Sequence, residues 1–251
     1  MGMIRVIPCL DVKDQRVVKG VSFRGLREAG DPAEMGETYC LEGADELVYL
    51  DISASWESRR TRLDWVLNVA RVMTIPFTVG GGISSEDEAV ELVRLGADKV
   101  SINSAAVRDP NLIGRCALRL GSQAVVVAVD AKRGKDGRFR VFAKGGREDT
   151  GMDMAEWISR LEPLGAGEVL LTSIDKDGTR DGYDLEMIRS AREATGLPII
   201  ASGGAGRPEH FAAAAEAGAD GLLAASVFHY RIIGIRELKG ILKGLGVPVR
   251  V

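Results

Sequence analysis

The chain repeats itself at a distance too long for a stacked repeat. A shift of 122 residues carries GADELVYL, from Gly43, onto GAGEVLLT, from Gly165. The same shift carries IPFTVGGGIS, from Ile75, onto LPIIASGGAG, from Leu197, and GADKVSINSAA, from Gly96, onto GADGLLAASVF, from Gly218. Pro76, Gly81, Gly82, Gly96, Ala97, Asp98 and Ser104 meet identical residues at Pro198, Gly203, Gly204, Gly218, Ala219, Asp220 and Ser226. Solenoid units recur every ~20–50 residues, so this period reads as two fused half-domains of four βα units each.

Short apolar runs at about 4–10, 46–50, 76–79, 98–103, 124–129, 168–173, 198–201 and 220–225 have the length of buried strands. Helical patterns fill the gaps. Asp31-Pro32 is an N-cap followed by proline at the first helical position, and Gly43 closes that helix. Ser84 or Ser85 can cap EDEAVELVRL, which Gly96 ends, and Asp109-Pro110 opens a fourth helix. Eight such alternations call for a parallel sheet covered by helices. A length of 251 residues fits one barrel, for which about 250 is typical. The expected fold is an α/β (β/α)8 TIM barrel: one domain over 1–251, with half-barrels at about 1–122 and 123–251. The irregular stretch is 131–147, where Asp136-Gly137 predicts a small hairpin over the rim, beside Asp130.

Composition narrows the function. A hydrophobic fraction of 45% supplies a full core. The net charge of −3 gives no reason to expect nucleic acid or an anionic membrane as partner. Cys9, Cys40 and Cys116 lie far apart and, with His210 and His229, form no metal-ligand spacing. No run approaches the ~18 apolar residues of a membrane span, and the N-terminus enters a strand directly. A reduced, cytoplasmic setting is expected, with no metal.

Two look-alike strands, RVIPCLD and VVVAVD, end in Asp11 and Asp130, one per half. A carboxylate at the C-terminal tip of a barrel strand sits on the rim where barrel active sites are built. Two of them suggest an acid and a base facing one pocket; the alternative is that either caps a βα loop. Gly80-Gly81-Gly82, Gly203-Gly204 and Asp177-Gly178-Thr179 follow strands, where glycine lets backbone N–H groups approach an anion. Strand eight ends Ala224-Ala225-Ser226 before a short helix, the usual barrel phosphate site. The repeat predicts its twin at Gly82 with Asn103-Ser104. Two phosphate sites on opposite sides of one rim imply a substrate with a phosphate at each end. At the other end of the barrel, strand starts carry Arg5, Glu46, Lys99 and Glu168. Strand parity turns these four inward as a ring of ion pairs, either a structural plug or a gate. Thr78, Ser101 and Thr172 above it are small where Val, Ile and Leu are usual, which leaves room for a narrow path. Trp56, Trp65, Trp157 and His229 read as packing residues.

IPCLDVKDQRVVKGVSF, VGGGIS, VSINSAAV, VVVAVDAKR, GAGEVLLTSIDKDGTRDGYD, IIASGGAG and LAASVFH closely resemble the cyclase subunit of imidazole glycerol phosphate synthase, across nearly the whole chain. The resemblance implies a ribulosyl-formimino aminoimidazole carboxamide ribotide with two phosphates as substrate. Imidazole glycerol phosphate and an aminoimidazole carboxamide ribotide would be the products, on the route to histidine. It implies ammonia from a separate glutamine amidotransferase subunit, bound as a heterodimer around the strand starts and touching Asp98. Arg5, Glu46, Lys99 and Glu168 would then gate the ammonia; no cofactor is implied. Asp11 and Asp130 would be the catalytic pair. Lys19, in a flexible loop after strand one, would close on the substrate, and Asp51 and Asp177 would stand near the ribose and amide groups. Ser22 departs from the asparagine usual in that loop. The nearest rival is the sister phosphoribosyl isomerase, which needs no ammonia. A non-catalytic barrel kept as a binding scaffold is a second, and it would have no use for Asp11, Asp130 and the glycines.

Overall fold

Parallel strands close on themselves to form the centre of the molecule. The structure, a computed structural model, describes residues 2–21, 24–54 and 61–251, with backbone alone over 19–21 and 24–27. In chain order the strands are β1 (Arg5–Lys13), β2 (Arg16–Val21), β3 (Arg24–Gly30), β4 (Leu47–Asp51), β5 (Phe77–Gly80) and β6 (Lys99–Ile102). There follow β7 (Val125–Arg133), β8 (Phe139–Ala143), β9 (Glu148–Asp153), β10 (Glu168–Ser173), β11 (Ile199–Ser202) and β12 (Gly221–Ala224). The barrel runs β1-β4-β5-β6-β7-β10-β11-β12, and β12 pairs in parallel with β1 to close it. Helices α1 (Pro32–Glu42), α2 (Leu63–Ala70), α3 (Glu86–Arg94), α4 (Ser104–Arg108) and α5 (Asn111–Leu120) pack outside the first half. Around the second half come α6 (Met154–Ser159), α7 (Leu161–Leu164), α8 (Leu185–Ala194), α9 (Pro208–Glu216), α10 (Ser226–His229) and α11 (Ile235–Gly244). This is a (β/α)8 TIM barrel. Among the described residues no helix is long and apolar enough to cross a membrane.

The caps follow the local chemistry. The Asp31 carboxylate accepts from the N–H groups of Ala33 and Glu34, and Gly43 ends α1 in the left-handed conformation. Of the two serines before α3, Ser85 takes the cap, accepting from Glu88 N–H. Each such cap is worth about 1 kcal/mol.

The repeated GAD tripeptides also serve the fold. Gly43, Gly96 and Gly218 turn the chain at positive φ, and Ala44, Ala97 and Ala219 are buried. Asp45, Asp98 and Asp220 accept from the backbone N–H of Val6, Phe77 and Ile199, at 2.8, 2.8 and 2.9 Å. Each carboxylate therefore satisfies an amide on an adjacent strand that the ladder leaves open.

Inside the barrel, one cluster comprises Ile7, Cys9, Val48, Val126, Leu170, Ile200 and Leu223; the larger cluster lies between strands and helices. Trp157 is buried in that outer layer, as is most of Trp65. His229 Nδ1 meets the Tyr39 hydroxyl at 2.7 Å, a packing contact of α10 on α1.

Two strands outlast their neighbours, and extra β-structure fills the vacated edges. Asp130 and Ala131 of β7 still pair with β10 on one side, while β6 has ended at Ile102 on the other. The free edge is taken by β8, antiparallel, with Asp130 opposite Phe142. In the same way Val12 of β1 pairs with Asp51 on one edge and with Val17 of β2 on the other. The hairpin expected at Asp136-Gly137 is present, and β9 adds a third strand to it. The loop expected around Lys19 is instead the strand β2, continued into β3. Its turn, Asp14-Gln15, holds both residues at positive φ without a glycine, so the usual hairpin signal is missing.

Candidate active site

A cavity of about 220 Å³ opens at the C-terminal ends of the barrel strands. Asp11, Asp51, Asn103, Ser104, Asp130, Asp177, Gly178, Gly203, Gly204, Ala225 and Ser226 all line it, contributed by seven βα units. Strand register explains the convergence. Asp130 lies level with Thr172, Leu50 with Asp11, and Ser202 with Leu223, so alternate residues of neighbouring strands reach the same height on the inner face.

The glycines are required by contact. A Cβ on Gly81 would meet the Asp51 carbonyl oxygen at 2.2 Å, and one on Gly204 would meet that of Gly182 at 2.1 Å. Gly81 and Gly82 have φ of 99° and 72°, and Gly203 and Gly204 have 97° and 99°. The next turns also match: Asn103 (φ −119°, ψ −98°) precedes α4, and Ala225 (φ −123°, ψ −73°) precedes α10. Two of the expected residues lie off the cavity wall. Gly81, not Gly82, lines it, and the Thr179 hydroxyl is turned back to donate to the Lys176 carbonyl. Ser22 and Trp56 lie outside the described residues, as does the side chain of Lys19.

Four carboxylates crowd this wall, and three of them are buried: Asp51, Asp130 and Asp177. Asn103 donates from Nδ2 to Asp130 Oδ2 at 2.9 Å. Burial pushes the Asp130 carboxyl up to about 6, against the Asn103 hydrogen bond and with help from the charges of Asp177 and Asp11. The Cys9 thiol stands 3.4 Å from Asp11 Oδ1. The two aspartates differ in burial, Asp130 being buried and Asp11 half-buried. Asp130 is held near the range where a carboxyl can give up a proton at mild pH, and its raised affinity comes partly from Asp11.

At the opposite end the four charges form a closed ring. Arg5 donates to Glu46 at 2.9 Å and to Glu168. Lys99 Nζ reaches Glu46 Oε2 at 3.0 Å and Glu168 Oε2 at 2.8 Å, and Thr78 donates to Glu46 Oε1 at 2.6 Å. Burial lowers the proton affinity of Arg5, but hydrogen bonds and charge from Glu168 and Glu46 outweigh it and hold the guanidinium above its ordinary value. Ser101 and Thr172 line the cavity from below, whereas Ile7, Val48, Val126 and Ile200 fill the interior between it and the ring.

The model of the histidine biosynthesis protein family matches residues 5–234. Over 247 residues the chain is 60% identical to the imidazole glycerol phosphate synthase subunit HisF of Thermotoga sp. (strain RQ2), covering 98% of this chain and 97% of that one. It is 57% identical to the subunit of the same name from Frankia casuarinae over 250 residues, with 98% of each chain covered. Against the Pyrobaculum aerophilum subunit the identity is 54%, with 99% and 98% covered. The chain belongs to the HisF family of imidazole glycerol phosphate synthase subunits. It is an enzyme subunit of histidine biosynthesis.

Within this HisF-family barrel, several cavity residues that sequence reasoning missed come from the turn between the extra strands β8 and β9. Lys144, Gly145 and Arg147, at the turn between β8 and β9, line the cavity, as do Lys13 and Ser53. Lys144 N–H donates to Ser104 Oγ at 2.8 Å. A Lys-Gly-Gly-Arg turn carries no distinctive spacing; only the descent of β8 beside β7 brings it to Ser104.

Proposed function

We propose that this cavity binds the bis-phosphorylated ribulosyl-formimino aminoimidazole carboxamide ribotide and condenses it with ammonia, releasing imidazole glycerol phosphate and aminoimidazole carboxamide ribotide. The observation that carries the reading is the unequal pair at one cavity, Asp11 and a buried Asp130 raised to about 6. A substrate with two phosphates brings further negative charge and raises Asp130 more. Asp130 then serves as the acid: it protonates the ribulosyl carbonyl oxygen as ammonia adds and, once reprotonated through solvent, gives the second proton with which the resulting hydroxyl leaves as water. Asp11 serves as the base and takes a proton from the incoming nitrogen. Ring closure of the imine and cleavage of the bond to the second ribotide need the same two transfers in turn.

One phosphate sits against the Gly81–Gly82 turn, Asn103 and Ser104, the other against Gly203, Gly204, Ala225 and Ser226. The matching backbone of these two walls supports a ligand with like groups at both ends. Lys19 closes over the substrate; Asp51, Asp177, Gly178 and Thr179 belong to the rim around its middle. A glutamine amidotransferase subunit supplies ammonia at the strand starts, where Met3, Leu41, Leu118, Leu245 and Val251 leave apolar surface exposed. Arg5, Glu46, Lys99 and Glu168 gate its entry, and Thr78, Ser101 and Thr172 are its polar contacts on the way up.

The test is turnover of the purified chain with the ribotide and excess ammonium salt. Imidazole glycerol phosphate detected by mass supports the reading. A ribotide that binds tightly but is turned over equally by Asp11→Asn, Asp130→Asn and the parent chain would refute the acid–base assignment.

A further inference from the structure

The two phosphate walls match in backbone, and an extra strand flanks each. Above Asn103 and Ser104, β7 has outlasted β6, and β8 descends the free edge with Asp130 opposite Phe142. The chain leaves β8 at Ala143 and turns through Lys144, Gly145 and Gly146, all at positive φ (53°, 63° and 75°). Lys144 N–H fixes the turn to Ser104 Oγ at 2.8 Å, and Arg147 N–H closes it on the Ala143 carbonyl at 3.1 Å. Lys144, Gly145 and Arg147 therefore form part of the same cavity wall as Asn103 and Ser104. The other extra strand repeats the arrangement in backbone. With Val12 opposite Val17 and Lys13 opposite Arg16, β2 descends the edge of β1 above the end of β12, toward the Ala225–Ser226 wall. On these registers Asp11 and Asp130 stand at corresponding heights, so residues 19–20 of β2 occupy the level of 143–144.

Charge makes this turn more than a strut. The described cavity wall holds four carboxylates, and its cations are Lys13, Lys144 and Arg147. An anionic ligand entering it finds side-chain cations only at these three residues of the described wall. Two of the three are on the turn moored to Ser104. Lys144 Nζ is paired with Glu148 Oε2 at 2.7 Å, across exposed side chains. An exposed ion pair of this kind contributes little and exchanges easily, whereas a phosphate offers a lysine a doubly charged acceptor.

We infer that the β8–β9 turn is a cationic clasp for the phosphate seated at Asn103–Ser104, with Lys144 exchanging Glu148 for that phosphate and Arg147 adding a second charge. The inference rests on the two-phosphate reading of the cavity and deepens it. It has the end of the substrate beside Ser104 held by side-chain charge from the second half of the chain.

The experiment is calorimetric titration of the whole chain with the bis-phosphate ribotide and, separately, with inorganic phosphate, at two salt concentrations. Lys144→Met is expected to weaken ribotide binding about tenfold and to flatten its salt dependence, with Lys144→Arg restoring most of it. Glu148→Gln is expected to bind both probes more tightly, since it removes the competing anion. Ribotide affinity equal to the parent in Lys144→Met, with turnover intact in the parent, overturns the clasp and leaves the proposed function standing. Phosphate affinity that responds to Lys144→Met and Glu148→Gln in opposite directions supports the clasp even if the ribotide is not turned over, in which case the proposed reaction falls instead.

Discussion

The two ends of this barrel use the same residue types to opposite effect. At the strand starts two carboxylates face two cations; Glu46 and Glu168 are each bonded by both Arg5 and Lys99, and the ring is neutral. At the strand ends Asp11, Asp51, Asp130 and Asp177 share one wall. Asp130 is met by an uncharged amide, Asn103, and its proton affinity climbs to about 6. Balanced charge makes the bottom a well-paired closure. Unbalanced charge makes the rim a place where a proton is worth holding and worth moving.

Deleting one charge at each end separates the two cases. The largest effect belongs to the rim: Asp130→Asn, or Asp11→Asn, should lower ammonium-driven turnover about 10²–10⁴-fold, read from steady-state kinetics with ribotide binding measured alongside. Glu168→Ala should cost about 3 kcal/mol of stability by urea unfolding, since it leaves two partly buried cations short of a partner. That figure is the lower end for such a loss, because the Arg5 side chain is a quarter exposed.

The same unfolding experiment on Asp130→Asn should give the opposite sign. Folding raises the Asp130 carboxyl from 3.8 to about 6, so the folded state binds more protons between those values. Its contribution to stability is complete below about pH 4 and is lost as pH rises through about 6. Above that, the parent holds a buried charge, and Asp130→Asn should be more stable by about 1–3 kcal/mol at pH 8, the advantage shrinking as pH falls toward 4. Equal stabilities at pH 8 would break the comparison. The smallest effect is expected at Arg133, which pairs with Glu186 on the surface. Arg133→Ala should change stability by no more than about 1 kcal/mol, since solvent already screens that pair.

How much of this was legible in the sequence varies residue by residue. The barrel strands were visible within a residue or two, because each is a buried apolar run, except at the far ends of β1 and β7, which run on to Lys13 and Arg133 past the expected 10 and 129. Asp11 and Asp130 stood out because a charged residue ends each run. The ring could be placed from parity alone, but which cation meets which carboxylate could not. The strand β9 left no trace: EDTGMD has no fully buried residue and carries no apolar alternation. The β1–β2 turn was hidden for a related reason, since Asp14 and Gln15 adopt left-handed backbone that the residues themselves do not advertise. Lys144 and Arg147 were missed because their place depends on that unadvertised structure.

The sequence by itself determined the alternation of strand and helix, the 122-residue echo of its motifs and the height of each aspartate on its strand. Those are properties of a period, and a period is local. Only the tertiary structure decided that Asp130 should hold its proton, that Lys99 should share both glutamates with Arg5, and that the Lys144 turn should rest on Ser104. Proton affinity and ion pairing depend on desolvation and on distances between strands far apart in the chain. Those quantities exist only once the barrel has closed.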